Sequence, residues 1–332
     1  MATSNNQMAT RRRSDQLVGT SRAVQRALQQ VAVAGRGHFP VYVFGEDGVD
    51  KETVARLTHS HSGWAQNGFF SLDTSIVPAQ LLGRELFGCE AGAMEALPES
   101  YEGAFERTSN GTVLIEHVEL MAKDLQQALA TAIKSKQFRR IGGTKVYSLE
   151  CRLIVSSNVS LEEATANGTL IPELAEALRL LEIRIPPLRE RKEDIIPIAA
   201  HLLSVGRAEI ERETGKPCPV RGLSREALEQ LREHSWPGNE HELGEQILSA
   251  LRLSRAEELG PEDLMLSGDQ TDEIPSFRDA KRSFEHEYVT RILRLCNGNI
   301  SRAARIAKKD RKDFYDVMRR NEINPQDFRP SS

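Results

Sequence analysis

The sequence predicts an α/β fold built on a mostly parallel sheet, followed by a helical subdomain and a small all-helical domain. Three observations predict this. Apolar runs "HFPVYVF", "GFFSLD", "GTVLIEH", "CRLIVSSN" and "LEIRIPP" alternate with helical stretches such as "DLQQALATAIKSKQF", and strands alternating with helices form parallel sheets covered on both faces. After "IPPLRERKEDI" the strand signal stops and helical periodicity takes over. An acidic, apolar-poor segment, "SGDQTDEIPS", then leads to a basic end, a unit of roughly 50 residues, below the size at which a core is generous.

The elements follow in order. Residues 1–15 are polar with a short basic cluster and lack the apolar core of a secretory signal, so a flexible tail on a cytoplasmic protein is expected. Residues 16–188 form the α/β part, where "HFPVYVFGED" reads as a strand running into a turn and "KETVARLTHSHS" as the helix after it. Residues 189–266 carry the helical patterns "IIPIAAHLLSVGRAEIERETG", "SREALEQLREHSW" and "NEHELGEQILSALRLSRAEE". The charge run "LRERKED" before them reads as a solvated helix start. Residues 267–277 are the linker. Residues 278–332 hold a first helix over "SFEHEYVTRILRLCNGN", then "SRAARIAKK" with Ala303, Ala304 and Ala307 allowing close packing, then "KDFYDVMRRN" with Phe314, Val317 and Met318 on one face. The last two read as a helix-turn-helix.

Composition excludes several classes. With 39% hydrophobic and 28% charged residues and no run of about 18 apolar residues, no membrane partner is expected. Cys89, Cys151, Cys218 and Cys296 lie far apart without a neighbouring His, so they read as reduced thiols and no metal is expected. His59 and His61 lack a third ligand in reach and read as structural. The formal charge is -4, yet residues 297–320 carry eight Lys or Arg against three Asp, a local +5. The basic end points to an anionic partner.

"GEDGVDKE", residues 45 to 52, has the spacing of a phosphate-binding loop in Gly45, Gly48, Lys51 and the following Glu52, but Asp50 stands where a glycine is wanted. Alone, these residues fit a plain turn equally well. Together with "LVGTSRAVQRAL", "ELFGCEAGA", "GAFERTSNGTVLIE", "QFRRIGG", "PPLRERKEDI" and "HSWPGNEHEL", they make residues 17 to 265 resemble the AAA+ domain of sigma-54-dependent enhancer-binding activators. The resemblance implies a P-loop-type sheet with a helical lid, and a ring, usually hexameric. Such a ring hydrolyses ATP and uses a GAFTGA loop to remodel sigma-54 RNA polymerase.

Several family positions are altered. A carboxylate such as that of Asp50 about 4 Å from a phosphate charge costs on the order of 4 kcal/mol at an effective dielectric near 20. Where the family has Asp-Glu for magnesium and water activation, this chain has Glu116 and His117. The two arginines that reach a neighbouring subunit's site correspond to Ile171 and Ala177, and arginine fingers contribute roughly 10³ to 10⁵ in rate. The lid's sensing arginine corresponds to His241, whereas Asn158 matches the polar sensor. The GAFTGA loop corresponds to Gly92, Ala93, Met94, Glu95, Ala96 and Leu97. The family framework is thus present with its chemistry degenerate. No cofactor is required, and binding of ATP and magnesium is left open.

"GNISRAAR", with the Phe314-Tyr315 pair after it, resembles the Fis-type DNA-binding domain. The resemblance implies that the second helix enters the major groove of double-stranded DNA. Arg311, Lys312 and Asp313 then face base edges, and Ser301, Arg302, Arg305, Lys308, Lys309, Tyr315, Arg319 and Arg320 complete the interface. The expected protein is a sequence-specific DNA-binding transcription regulator with an inactive ATPase, associating with itself as a dimer or a ring-like oligomer. RNA polymerase or a related AAA+ regulator is a further partner to test. A weakly active ATPase that still drives sigma-54 transcription, and a non-catalytic subunit modulating a competent relative, stay open as alternatives.

Overall fold

The computed structural model describes residues 16–93, 99–264 and 266, and then 289, 292–293, 296, 299–307, 309–320 and 323, without the side chains of 311, 312 and 316. The amino-terminal tail, the linker, most of the first carboxyl-terminal helix, Lys308 and the loop residues Met94, Glu95, Ala96 and Leu97 lie outside the described residues. The chain divides into two compact units, residues 1–266 and 267–332.

In the first unit the strands are β1 (Val41–Phe44), β2 (Phe69–Asp73), β3 (Thr112–Glu116), β4 (Gln137–Arg139), β5 (Val146–Ser148), β6 (Arg152–Ser157), β7 (Glu182–Arg184), β8 (Gly222–Leu223) and β9 (Glu258–Leu259). Five of them form one sheet in the order β2-β3-β6-β1-β7, with every pair parallel. The alternation of side chains along a strand sorts the apolar residues between two cores. Tyr42, Val113, Ile115, Leu153 and Val155 enter the core on one face, and Val41, Val43, Leu114 and Ile154 the core on the other. Both faces are therefore buried, as a parallel sheet requires.

The helices of this unit are α1 (Arg22–Arg36), α2 (Lys51–Ser60), α3 (Ala79–Phe87), α4 (Ala104–Arg107), α5 (Lys123–Ser135), α6 (Leu161–Ala166), α7 (Pro172–Leu178), α8 (Lys192–Thr214), α9 (Arg225–Glu233) and α10 (Asn239–Leu253). Ser21, Asp50, Ser160 and Ser224 cap α1, α2, α6 and α9 by accepting a backbone N–H in the first turn. The apolar stripe of α1 (Ala27, Val31, Ala34) and the buried residues Val54 and Ala55 of α2 cover one face of the sheet. Leu129, Ala130 and Ile133 of α5, with Leu174 and Leu178 of α7, cover the other.

Helices α8, α9 and α10 form a separate core around fully buried Trp236, whose indole N–H donates to Leu231 O at 2.8 Å. The strand signal does not stop entirely, because β8 and β9 pair in parallel inside this lid. Two residues are too few to show periodicity. "LRERKED" is not simply solvated: Arg191 and Asp194 are buried, and Asp194 Oδ1 accepts from Thr20 and Ser21 N–H at 2.6 and 2.9 Å, fastening the start of α1 to the lid.

In the second unit, α11 (Ile300–Ile306) is capped by Asn299, whose side chain accepts from Arg302 N–H at 3.1 Å. It is followed by α12 (Arg311–Arg320). Ala303, Ala304, Phe314, Val317 and Met318 meet Val289, Ile292, Leu293, Cys296 and Ile323 in one small core. All four cysteines are free and buried. Among the described residues no helix is long and apolar enough to cross a membrane.

Candidate nucleotide site and nucleic-acid interface

Because β1, β2, β3 and β6 run in parallel, their carboxyl ends lie at one edge of the sheet, the edge at which open α/β sheets bind ligands. Asp73 stands opposite Glu116 in the register, and Phe44 opposite Ser157. The loop from Gly45 to Asp50 leaves β1 there and turns into α2.

Asp50 occupies the amino-terminal cap of α2, its Oδ1 accepting from Thr53 N–H at 3.1 Å. Lys51 is buried. Its ammonium donates to Gly45 O at 3.0 Å, Glu46 O at 3.0 Å and Asn158 Oδ1 at 2.9 Å, which uses all three of its donors. Burial pulls Lys51 below the usual lysine range, against the carboxylates of Asp47, Glu119, Glu116 and Glu240, which favour its charge. The Asn158 backbone N–H donates in turn to Glu119 at 3.1 Å.

At the end of β3, Glu116 accepts from Ser71 Oγ at 2.8 Å. Burial pushes its carboxyl above the usual range, helped by Glu52 and Asp73. His117 follows in the left-handed region at φ 54°. Its Nδ1 lies 3.1 Å from Asp73 Oδ1, and its carbonyl accepts from Thr74 Oγ1 at 2.6 Å. The imidazole is thus turned to β2. Burial works against ionisation of Asp73, yet hydrogen bonds from Ser75 and His117 outweigh it and hold that carboxyl below its usual range.

The lid meets the loop directly. His241 N–H donates to Gly48 O at 3.1 Å and Asn239 Nδ2 to Asp47 O at 2.8 Å, while Asn239 Oδ1 accepts from Leu188 N–H at 2.9 Å. The His241 side chain faces Glu245 at 3.4 Å. Arg189 pairs with Glu46, and buried Arg191 with Glu240. Burial raises the Glu240 carboxyl against that arginine.

The structure brings Gly45, Gly48, Asp50, Lys51, Asn158 and His241 together at the loop, with Glu116 near enough for its charge to act on Lys51, whereas His117 is engaged with Asp73 of β2. Ile171 caps α7, where its backbone N–H donates to Gln126 Oε1 at 2.9 Å, and Ala177 lies on the same helix. Both pack against the main core. Gly92 and Ala93 are exposed. Sequence reasoning missed Asp73, Glu119, Asn239 and Glu240. The Asn-Glu pair after Pro-Gly was a visible signal for the last two, whereas Asp73 and Glu119 reach the site only through strand register.

In the second unit, Ser301, Arg302, Arg305, Lys309, Asp313, Tyr315, Arg319 and Arg320 are all exposed. Arg311 and Lys312 stand in the first turn of α12. The buried faces of α11 and α12 carry the apolar residues, so the exposed polar side chains of Ser301, Arg302 and Arg305 and of Asp313, Tyr315, Arg319 and Arg320 lie on the opposite faces.

A strand, phosphate-type loop and helix on a parallel sheet, roofed by a helical lid, define an AAA+ P-loop fold. The Sigma-54 interaction domain family matches residues 17–184 and the AAA+ ATPase lid domain family residues 189–276, and the chain belongs to the Sigma-54 interaction domain family. The transcriptional regulatory protein GlrR of Escherichia coli (strain K12) is 30% identical over 315 residues, covering 94% of this chain and 69% of GlrR. The transcriptional regulatory protein XylR of Pseudomonas putida is 32% identical over 241 residues, covering 73% of this chain and 42% of XylR. A crystal structure of NtrX from Brucella abortus matches with a TM-score of 0.66 at 29% identity, over 92% of this chain and 69% of that one. NtrX in complex with ATP matches with a TM-score of 0.66 at 28% identity, over 94% and 70%.

Proposed function

We propose that this chain is a DNA-binding transcription regulator whose AAA+ domain serves as a self-associating scaffold and does not turn over ATP. The observation that carries the reading is the pairing of His117 with Asp73 at 3.1 Å. The position from which the family's glutamate polarises water holds an imidazole engaged sideways with the neighbouring strand, and a general base must be within reach of the water it activates. Ile171 and Ala177 supply no charge to a neighbour's site, and Glu116 is a half-buried carboxyl whose ionisation is disfavoured.

NtrX has been crystallised with ADP and with ATP. In this chain the residues fit a magnesium nucleotide poorly. The Asp50 carboxylate sits at the mouth of α2, Lys51 has no spare donor, and the carboxylates of Asp47, Glu116, Glu119 and Glu240 all act on that lysine. Weak nucleotide binding without turnover is the expectation. The exposed basic residues of α11 and α12 support binding to double-stranded DNA, as a dimer on a two-fold site, in the cytoplasm.

Steady-state ATP hydrolysis by the full-length protein, with and without DNA, beside a Lys51→Ala control, tests the reading. The expected result is no rate above the control. A clear rate that depends on Lys51 would overturn it and restore ATP-driven activation of sigma-54 polymerase.

A further inference from the structure

We infer that the phosphate loop of this chain is ligated by the protein itself: Asp50 is the resident anion at α2, Asn158 and the loop carbonyls hold Lys51, and the lid is latched to the loop without nucleotide. The inference rests on the scaffold reading of the AAA+ domain and adds how that scaffold is kept closed.

The amino-terminal end of a helix presents unpaired N–H groups and positive potential, which favour an anion. Here the anion is the side chain of Asp50, bonded to Thr53 N–H at 3.1 Å. A phosphate entering that place must displace a carboxylate fixed to its own backbone. It must also take Lys51 from three acceptors that already satisfy it.

The glycines of the loop point the same way. A Cβ on Gly45 would lie 2.4 Å from Ile185 O, and one on Gly48 2.1 Å from Gly238 O. Both positions need glycine because other parts of this chain press against them. Position 50, where the family's glycine serves approach to phosphate, carries a side chain.

The lid contacts close the circuit. His241 N–H on Gly48 O, Asn239 Nδ2 on Asp47 O and Arg189 on Glu46 join three consecutive parts of the loop to the lid through protein atoms alone. A bound phosphate is not needed as the bridge.

Hydrogen exchange of the full-length protein, with and without millimolar magnesium-ATP, tests this. The amides of Thr53 and His241 are expected to be protected without nucleotide and to change less than about twofold when it is added, since a ligand shifts an equilibrium only by its differential affinity. Asp50→Gly is expected to bind a fluorescent ATP analogue at least about tenfold more tightly than wild type, a modest fraction of the repulsion removed. Asp50→Asn keeps an oxygen for the cap while removing the charge, and is expected to tighten binding too should the glycine variant fold poorly. Fast exchange at His241 that magnesium-ATP slows, or no tightening in either variant, would overturn the latch. Hydrolysis measured on the same samples separates the two readings. A Lys51-dependent rate in wild type removes the scaffold, whereas a nucleotide-dependent lid without hydrolysis removes only the latch.

Discussion

Lys51 and Asn158 are joined by a 2.9 Å hydrogen bond between the first residue of α2, where the loop after β1 ends, and the residue that follows the adjacent strand β6. The bond makes the lysine a brace between two parallel strands, and its other two donors fix the loop to itself. Lys51→Ala is therefore expected to cost stability, by about 2 to 3 kcal/mol, because it leaves the buried Gly45 carbonyl and two half-buried acceptors unpaired. Urea unfolding measures the loss. A double-mutant cycle with Asn158→Ala should return a coupling of about 1 kcal/mol. No loss of stability would show that the lysine is not a structural brace.

Glu116 gives a pH dependence whose sign is fixed by burial. Its carboxyl is raised above the ordinary value of 4.5, so the folded chain holds a proton that the unfolded chain releases. The stability this contributes is fully present below pH 4.5 and is lost as pH rises through the raised value. Glu116→Gln removes the titration. Its stability relative to wild type should improve from pH 4.5 upward, as read by urea midpoints across that range. Parallel curves for the two proteins would show that Glu116 is ionised in the folded state at no cost.

The sheet was legible because buried parallel strands are written as apolar runs, and "GTVLIEH" and "CRLIVSSN" became β3 and β6 at the expected places. The phosphate-type loop was legible from the spacing of Gly45, Gly48 and Lys51. What these residues touch was not. The partner of His117 is Asp73, brought alongside by the register of β2 against β3, and register is a property of the assembled sheet. Arg152, the first residue of β6, is fully buried and donates to Ala34 O at 2.9 Å and Thr58 O at 3.3 Å, near the carboxyl-terminal ends of α1 and α2. A charge spent on helix-end carbonyls leaves no periodic mark in a sequence. The short pairs β4–β5 and β8–β9 were missed for want of length.

Gly48 joins loop conformation to lid position. It has φ +78°, and a Cβ would meet Gly238 O at 2.1 Å. Gly48→Ala thus combines a strained backbone with a clash, and about 2 to 4 kcal/mol of destabilisation is expected from those causes together. The loss should be local. Limited proteolysis should cut the lid region of the variant faster, while the core of the sheet stays resistant. Unchanged cleavage would show that the lid does not depend on this contact.

The second unit makes a prediction about salt. Arg319 and Arg320 are exposed in the last turn of α12, and Arg302, Arg305 and Lys309 are exposed on and beside α11. Each side chain that neutralises a phosphate releases counterions, so the logarithm of affinity for duplex DNA should fall with the logarithm of salt at a slope near −0.9 per contact. Fluorescence anisotropy of the full-length protein at several salt concentrations measures it. Arg319→Ala or Arg320→Ala should weaken binding to all sequences alike and reduce the slope by about one, whereas loss of a base-reading side chain should relax sequence preference. Lys312→Ala, in the first turn of α12, is expected to do the latter. If the wild-type slope is flat, the exposed charges are only a solvated face and duplex DNA is not the partner.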